Sequence, residues 1–255
     1  MEHHIFSLFR KETHSFFVSP IFYGMLFVFL VLSGYFFYTD LTLYNMINIR
    51  GFANPIEGFL RRYFNDLRFV FMLLMPLVTM RLYAEEKKLG TYELLTVSPV
   101  KDRDILASKF LVSITIFALL LIMSLAHICL LSWIWGISAL SPLLPAIGSG
   151  YLGLFLLGSA LASCGLFVSS LTENQAAAGM ITLGIFILFW FLTWNELIVD
   201  KQSMQILLQF SLFDRLHGFF RGFIQIADIV FFIFFTLFFI VLTYATQKSR
   251  KWRML

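Results

Sequence analysis

Long apolar runs alternate with short polar segments along the chain, and this pattern predicts six helices that cross a membrane. A span needs roughly 20 mostly apolar residues to cross a hydrocarbon core of ~30 Å. The predicted spans are Ile21–Tyr38, Phe69–Ala84, Phe110–Trp135, Ala146–Leu171, Ala176–Trp194 and Ile229–Thr246. The 63 residues from Phe110 to Thr172 contain no Asp, Glu, Lys or Arg, which a water-soluble domain of ordinary composition would not tolerate. The pattern therefore predicts an all-α integral membrane protein, with residues 1–255 forming a single transmembrane domain.

Two details concern how these spans are built and connected. The second span is the shortest, contains Pro76, and reaches full length only if Arg81 extends its guanidinium to the lipid headgroups. The fourth and fifth spans are separated only by the polar turn Thr172–Gln175, so these two helices are expected to be antiparallel neighbours.

Residues 1–19 predict an amphipathic helix that lies in the membrane interface, because apolar side chains share one helical face and polar ones lie mostly opposite. The apolar set is Ile5, Phe6, Phe9, Phe16 and Phe17, and the polar set is His3, His4, Arg10, Lys11, Glu12 and His14. A secretory signal would place a small-residue cleavage site soon after a short apolar core, whereas a full span follows here, so no cleavage is expected.

Two longer segments, residues 39–68 and 195–228, are predicted to lie on one side of the membrane. In the second, Ser211–Phe223 alternates Phe with charged residues, which favours short amphipathic or re-entrant helices outside the cytosol.

Composition supports a membrane domain, since 59% of the residues are hydrophobic, 13% are charged and the mean hydropathy is +0.83. Both cysteines, Cys129 and Cys164, lie in apolar runs and carry no disulfide or zinc-site spacing. The net charge of +4 comes from Lys and Arg near span ends, so membrane topology explains it and nucleic acid is not indicated. With six spans, 12 basic residues fall on the side of both termini and 7 on the other, which predicts that both termini are cytosolic.

The most polar part of the chain is Arg81–Lys109, which carries 11 of the 34 charged side chains. Gly90 is placed to end the second span's helix, because glycine accepts the left-handed conformation common at helix ends. Thr91–Val97 can then form about two helical turns before Ser98-Pro99 stops them, and Asp102 is a candidate N-cap for the third span. The segment predicts a short helix parallel to the membrane, and the alternative is a solvated loop of mixed charge.

The stretch Pro76–Pro99 reads PLVTMRLYAEEKKLGTYELLTVSP. It resembles the signature of ABC-2-type transporter permeases and is most similar to the branch that contains the gliding-motility and nitrous-oxide-accessory permeases. Gly150–Gln175 resembles the same branch, as does the stretch from Phe213 to Gly222, so the resemblance extends along the whole chain.

That resemblance implies the membrane subunit of an ATP-binding-cassette exporter in a bacterial inner membrane. Two six-span subunits, identical or different, would pair, and each would sit on one of two cytosolic ATPase subunits, with periplasmic accessory subunits as further partners. The sequence contains no G-x-x-x-x-G-K-[ST] phosphate loop, so ATP and Mg are expected on the partner, and the chain itself is expected to be no enzyme and to bind no cofactor or metal.

In this family the loop matching residues 84–109 supplies the coupling helix that docks on the ATPase, and the loop matching Thr172–Gln175 makes a smaller contact. The expected ATPase contacts are Glu85, Glu86, Lys87, Gly90, Thr91, Tyr92, Glu93, Leu94, Leu95 and Pro99 in the first loop, with Glu173 and Asn174 in the second. Charged residues would set the register there and apolar ones would supply burial. The plainer interpretation is that Glu85 and Glu86 only solvate a helix end.

Other residues have less specific interpretations. Gly158 and Ala162 form a small-xxx-small pair that permits close helix packing, either within the bundle or at a dimer seam. His127 lies deep in the third span and either hydrogen-bonds within the bundle or takes part in proton transfer.

A secondary transporter or channel not driven by ATP remains the alternative function, although the several midplane charges typical of such proteins are missing from the sequence. An intramembrane hydrolase is disfavoured, because neither G-x-S-x-G nor H-E-x-x-H occurs.

Overall fold

The computed structural model describes residues 2–47, 54–91, 101–194 and 211–253, and all the regular structure within these ranges is helical. The long helices are α1 (Glu2–Val18), α2 (Pro20–Ile47), α3 (Arg61–Lys88), α4 (Asp102–Trp135), α5 (Leu144–Leu171), α6 (Gln175–Trp194) and α7 (Ile226–Arg253). Shorter helical turns are Ile56–Leu60, Ile137–Leu140, Ser141–Leu143 and Leu216–Phe220. The prediction of an all-helical protein is confirmed for this part of the chain.

Five stretches of the described chain are long and apolar enough to cross a membrane. They are Pro20–Ile47, Ile56–Lys88, Asp102–Trp135, Ser141–Leu171 and Ile226–Ser249. Five of the six predicted spans therefore lie in helices of spanning length. The remaining one lies in α6, whose apolar stretch Gln175–Phe191 is shorter.

Helix α5 lies at the centre of the bundle and packs against α3, α4, α6 and α7. Its small residues allow this, because their neighbours fill the space where a side chain would be. A Cβ on Gly150 would lie 2.4 Å from Phe64, and one on Gly158 would lie 2.0 Å from Phe117. Ala162 is fully buried on the same helix. The tight contact at Gly158 is thus made within one chain, between α5 and α4.

The first half of α3 extends beyond the predicted second span. The helix begins at Arg61, whereas the apolar pattern placed the span at Phe69–Ala84 and assigned residues 39–68 to an outer segment. Tyr63 and Phe64 are fully buried despite their charged neighbours. In the first half of α3, the polar residues lie on a different helical face from the aromatic ones. The mean hydropathy averages over both faces, so it underestimates how deeply the aromatic face is buried.

The start of α4 differs from its prediction in a small way. Lys101, with extended backbone, is the N-cap residue and makes no capping bond through its side chain, while Asp102 already belongs to the first turn. The expected N-cap role of Asp102 is therefore wrong. A carboxylate in the first turn still interacts favourably with the helix dipole.

Residues 211–225 fold back onto the bundle where α3 and α5 begin. Phe213, Leu216 and Phe219 are fully buried there. The Ser149 hydroxyl of α5 donates a hydrogen bond to the carbonyl of Phe219 at 2.6 Å, and the Arg68 guanidinium of α3 donates one to the carbonyl of Phe213 at 3.0 Å. We call this the Arg68 end of the bundle. The Lys109 end, at the opposite tips of α3 and α5, is where α3 ends and α4 begins. Of the predicted outer segment 195–228, residues 195–210 lie outside the described residues.

Candidate coupling site

Lys109 joins three helices at the Lys109 end. Its side chain is 1% exposed, and its Nζ lies 2.7 Å from Oε2 of Glu86 on α3 and 3.1 Å from Oε1 of Glu12 on α1. The same ammonium donates a hydrogen bond to the carbonyl of Leu82 at 2.5 Å and lies 5.1 Å from the centre of the Tyr83 ring. Buried charges are tolerated only when they are paired and hydrogen-bonded. Lys109 therefore requires α1, α3 and α4 to stay together.

The sequence around Lys109 explains why this cation points inward. Ile105, Leu106 and Val112 are buried on α4, and Lys109 lies on the same helical face. On α3, Leu82 and Glu86 are four residues apart and so lie one turn above each other, which brings a carbonyl and a carboxylate to the same ammonium. The apolar face of α4 thus contains one buried charge, the Lys109 ammonium, and acceptor groups of α3 surround it.

Arg81 makes a second connection between α3 and the N-terminal helices. Its Nε lies 2.8 Å from Oε2 of Glu85, and a second guanidinium nitrogen lies 3.2 Å from Oε1 of the same carboxylate. The guanidinium also donates to the hydroxyl of Ser19, in the α1–α2 connection, and lies 5.6 Å from the centre of the Phe16 ring. A forked pair of this kind fixes geometry as well as charge. Arg81 thus holds the α1–α2 junction, and its extension towards lipid headgroups stays a prediction.

Hydroxyl groups connect the end of α3 to the end of α5. The Ser169 hydroxyl donates to the Met80 carbonyl at 3.1 Å and accepts from the backbone N–H groups of Tyr83 and Ala84, both at 3.2 Å. Lys87 donates to the carbonyl of Ser170, where a cation is favoured by the C-terminal end of the α5 dipole. These contacts tie the tip of α3 to the central helix.

Helix α7 also contacts the ends of α3 and α5. Its Thr246 hydroxyl lies 3.1 Å from that of Ser170, and the Gln247 amide donates to the Tyr83 hydroxyl. Sequence reasoning missed Ser169, Ser170 and Gln247. The sequence does show polar residues near the ends of the apolar helices that contain them. Which of these residues contact each other depends on the fold and cannot be read from the sequence.

A cavity of about 230 Å³ lies between α1 and the last turns of α3. Its lining includes both signs of charge, with Glu12 and Lys11 from α1 and Arg81 and Glu85 from α3. Leu89 and Thr91, at the start of the segment that connects α3 with α4, lie at its edge. The cavity leaves space beside the Lys109 cluster where the bundle meets that segment.

The predicted contact residues of the first loop divide into three groups. Glu85, Glu86 and Lys87 lie in the last turns of α3, and all three bind other residues of this chain. Gly90 has φ = +70° and ends the helix in the left-handed conformation, as its position predicted. Thr91 donates from its hydroxyl to the Glu86 carbonyl at 3.3 Å. The remaining residues of the first loop lie outside the described residues: Tyr92, Glu93, Leu94, Leu95 and Pro99.

In the second loop, Asn174 caps α6. Its side-chain oxygen accepts hydrogen bonds from the N–H groups of Ala176 at 2.9 Å and Ala177 at 3.3 Å. Glu173 is exposed beside it. A partner contact at these two residues stays a prediction.

His127 has its hydrogen-bond partners within the bundle. Its Nδ1 lies 3.1 Å from the Tyr63 hydroxyl of α3, and its ring stacks on Phe37 of α2 with centroids 5.1 Å apart. Ser124, one turn earlier on α4, hydrogen-bonds the Tyr151 hydroxyl of α5 at 3.1 Å. This network links four helices, which fits the packing interpretation of His127.

Within the described residues, no group of three or more His, Cys, Asp or Glu side chains is placed to hold a metal ion. The fold and the site together define a multi-pass, all-helical membrane protein whose charged side chains gather at the two ends of the bundle.

The family model for ABC-2 family transporter proteins matches residues 46–209, which is more than half of the chain and includes all of α3 to α6. The chain therefore belongs to the ABC-2 family and is the membrane subunit of a transporter of this class. No curated protein matches the chain. The membrane domain of this family is typically the permease subunit, which lacks a nucleotide-binding domain and works with an ATPase partner.

Proposed function

We propose that the chain is the permease half of an ATP-driven exporter and that force from cytosolic ATPase subunits enters it at the Lys109 end. The observation that carries this proposal is the buried ammonium of Lys109, which ties α1, α3 and α4 together at the base of the segment connecting α3 with α4. A region that transmits force from a partner must move as a rigid unit. Three helices that share one buried charge move as a unit, because separating them leaves that charge unpaired.

The contacts around this cluster extend the unit into the rest of the bundle. Ser169 links the end of α3 to α5, and Gln247 links Tyr83 to α7. A displacement of the residues that follow Lys88 would therefore reach the central helix as well as the N-terminal ones. Packed interfaces of this kind switch between discrete arrangements instead of deforming continuously.

The ATPase contact itself is proposed for the loop between α3 and α4. The residues proposed to face the partner are Tyr92, Glu93, Leu94, Leu95 and Pro99, with Glu173 and Asn174 as a smaller second contact. Within the chain, Glu85 pairs with Arg81, Glu86 pairs with Lys109, and Lys87 binds the end of α5. We therefore propose that these three residues position the loop and do not contact the ATPase directly.

Membership of the ABC-2 family supports the remaining parts of the proposed assembly. We propose six spans, of which α6 is the fifth in chain order, two permease copies that are identical or different, and two ATPase subunits that carry ATP and Mg. The excess of Lys and Arg at the Lys109 end and near both termini supports a cytosolic location for them, in a bacterial inner membrane. The similarity of Pro76–Pro99 to the gliding-motility and nitrous-oxide-accessory branch makes periplasmic accessory subunits reasonable further partners.

The function is tested by co-expression with a candidate ATPase subunit from the same organism. The complex should copurify in detergent, and ATP hydrolysis by the ATPase should change when the permease is bound. The double variant Glu93→Lys with Leu94→Asp should weaken copurification at least tenfold. Lys201→Glu, a charge reversal predicted to lie on the opposite side of the membrane, is the control and should copurify as the wild type does. Equal recovery of both variants would contradict the proposed contact.

A further inference from the structure

Helix α1 has a basic face that points away from the bundle. Arg10, Lys11 and His14 are exposed, and their spacing of three and four residues places them on one side of the helix. Glu12 points the opposite way, where its Oε1 lies 3.1 Å from the Nζ of Lys109. Among the side chains of α1 that the structure describes, Glu12 is the one acid. The outward face of this part of α1 therefore contains basic groups with no carboxylate beside them.

A groove of about 450 Å³ lies on this basic face. Its lining includes the three basic residues together with Phe6 and Ser7. An apolar cavity of about 150 Å³ holds a benzene molecule, so this groove has room for a phosphate group and its glycerol. Lys11 also lines the 230 Å³ cavity beside Glu12 and Arg81, so the groove borders that cavity at Lys11.

The connection from α1 to α2 places the groove at the membrane boundary. Helix α1 ends at Val18, and α2, which is long and apolar enough to span a membrane, begins at Pro20. On the outer half of α1, Phe6 is 67% exposed and Val18 is 66% exposed. Exposed apolar and cationic side chains on one amphipathic helix are typical of a helix that lies between acyl chains and headgroups.

We propose that the groove on α1 binds the headgroup of an anionic phospholipid. The phosphate oxygens accept hydrogen bonds from the Arg10 guanidinium, the Lys11 ammonium and an N–H group of His14, and bonds of this charge-assisted kind are the strong ones. Phe6 contacts the acyl chains of the same lipid. A bilayer supplies anionic and apolar groups at neighbouring depths, which favours a lipid over a soluble acidic protein as the occupant.

Native mass spectrometry of the full chain in a neutral detergent tests the proposal. Phosphatidylglycerol and phosphatidylcholine with identical acyl chains are titrated separately, so that only the headgroup differs. The wild type should bind phosphatidylglycerol roughly tenfold more tightly than phosphatidylcholine, because each basic residue near an anionic lipid adds to the attraction. The double variant Arg10→Gln with Lys11→Gln should bind both lipids equally. No ATPase is present, so failure here leaves the proposed function untouched.

The matched control is Lys101→Gln with Arg103→Gln. It removes one Lys and one Arg that are also exposed at the Lys109 end, where α4 begins. Because all four side chains are exposed, both double variants should unfold at the wild-type temperature. The control should keep the preference for phosphatidylglycerol.

Four outcomes would overturn the proposal. The first is equal binding of the two lipids by the wild type. The second is an equal loss of preference in both double variants, which would reflect net charge alone. The third is displacement of phosphatidylglycerol by excess inorganic phosphate, which would show a site for a soluble anion. The fourth is an unchanged lipid preference in Arg10→Gln with Lys11→Gln together with weaker copurification of the ATPase, which would assign the basic face to a protein contact.

Discussion

Lys109 of α4 and Glu86 of α3 form an ion pair of 2.7 Å with side chains only 1% and 13% exposed. Glu12 of α1 lies on the other side of the same ammonium. The contact joins residues that are 97 positions apart in sequence, Glu12 and Lys109, and it lies near the end of α3 and the start of α4. These buried ion pairs form a structural joint that holds α1, α3 and α4 together, whether or not a partner protein is bound.

Replacing Lys109 with Met should destabilise the protein strongly. The change leaves two buried carboxylates without their cation, and removing one partner of a buried ion pair costs about 3–5 kcal/mol. Chemical unfolding in detergent micelles measures the loss.

The triple variant Lys109→Met, Glu12→Gln, Glu86→Gln separates charge imbalance from packing. It removes all three charges together and should recover most of the lost stability, since an uncharged cluster of similar shape has no unpaired ion. If Lys109→Met alone unfolds at the wild-type denaturant concentration, the proposed joint does not exist.

Gly158 should tolerate no side chain, because a Cβ there would lie 2.0 Å from the Phe117 ring. Gly158→Ala is expected to lower the free energy of unfolding by about 1–3 kcal/mol through overpacking. Gly148→Ala is the control on the same helix, since nothing lies within 4 Å of its Cβ position. That control should be neutral or stabilising by up to about 1 kcal/mol, because alanine favours helix. Equal effects at the two glycines would contradict the packing of α5 against α4.

The hydrogen bond between Tyr63 and His127 should be energetically coupled. Tyr63→Phe leaves the buried Nδ1 of His127 without this partner and is expected to cost about 1 kcal/mol. His127→Phe should cost a similar amount. In a double-mutant cycle, the double variant should lose less than the sum of the two by at least about 0.5 kcal/mol. Additive losses would mean that the two groups do not interact.

His217 should make residues 211–225 sensitive to acid. Burial and the nearby guanidinium groups lower the pKa of His217 to about 4 from its ordinary value of about 6.5, so the folded state favours the neutral ring. The resulting stability is complete above pH 6.5 and is lost as pH falls from 6.5 towards 4. Hydrogen exchange of this segment, compared between wild type and His217→Gln, isolates the effect. The wild type should lose protection more steeply than the variant over this range, and parallel curves would exclude His217 as the cause.

The sequence predicted the helical class, the approximate spans and the role of Gly90, because each depends on local apolar length or on a single backbone conformation. It did not predict how far α3 extends, since charged residues such as Arg61 and Arg62 share the helix with fully buried aromatic ones. An average over a window cannot separate two faces of one helix.

Most of the candidate site lay beyond sequence reasoning for a related reason. The sequence pattern predicts Glu86 as an ATPase contact or as a solvated residue at a helix end, and Lys109 as one of several basic residues near span ends. Their burial follows from a third helix that is distant in sequence. Whether two charges neutralise each other inside a bundle depends on tertiary packing, which single-sequence periodicity does not encode.

The central claim, that an ATPase partner acts on the segment between α3 and α4, is tested most directly by photo-crosslinking in membranes. A photoreactive amino acid is placed at Tyr92, in the proposed contact, and separately at Phe223, which is 69% exposed at the Arg68 end. The account predicts a covalent adduct with the co-expressed ATPase from position 92 and none from position 223. An adduct from position 223 alone, with none from position 92, would contradict it.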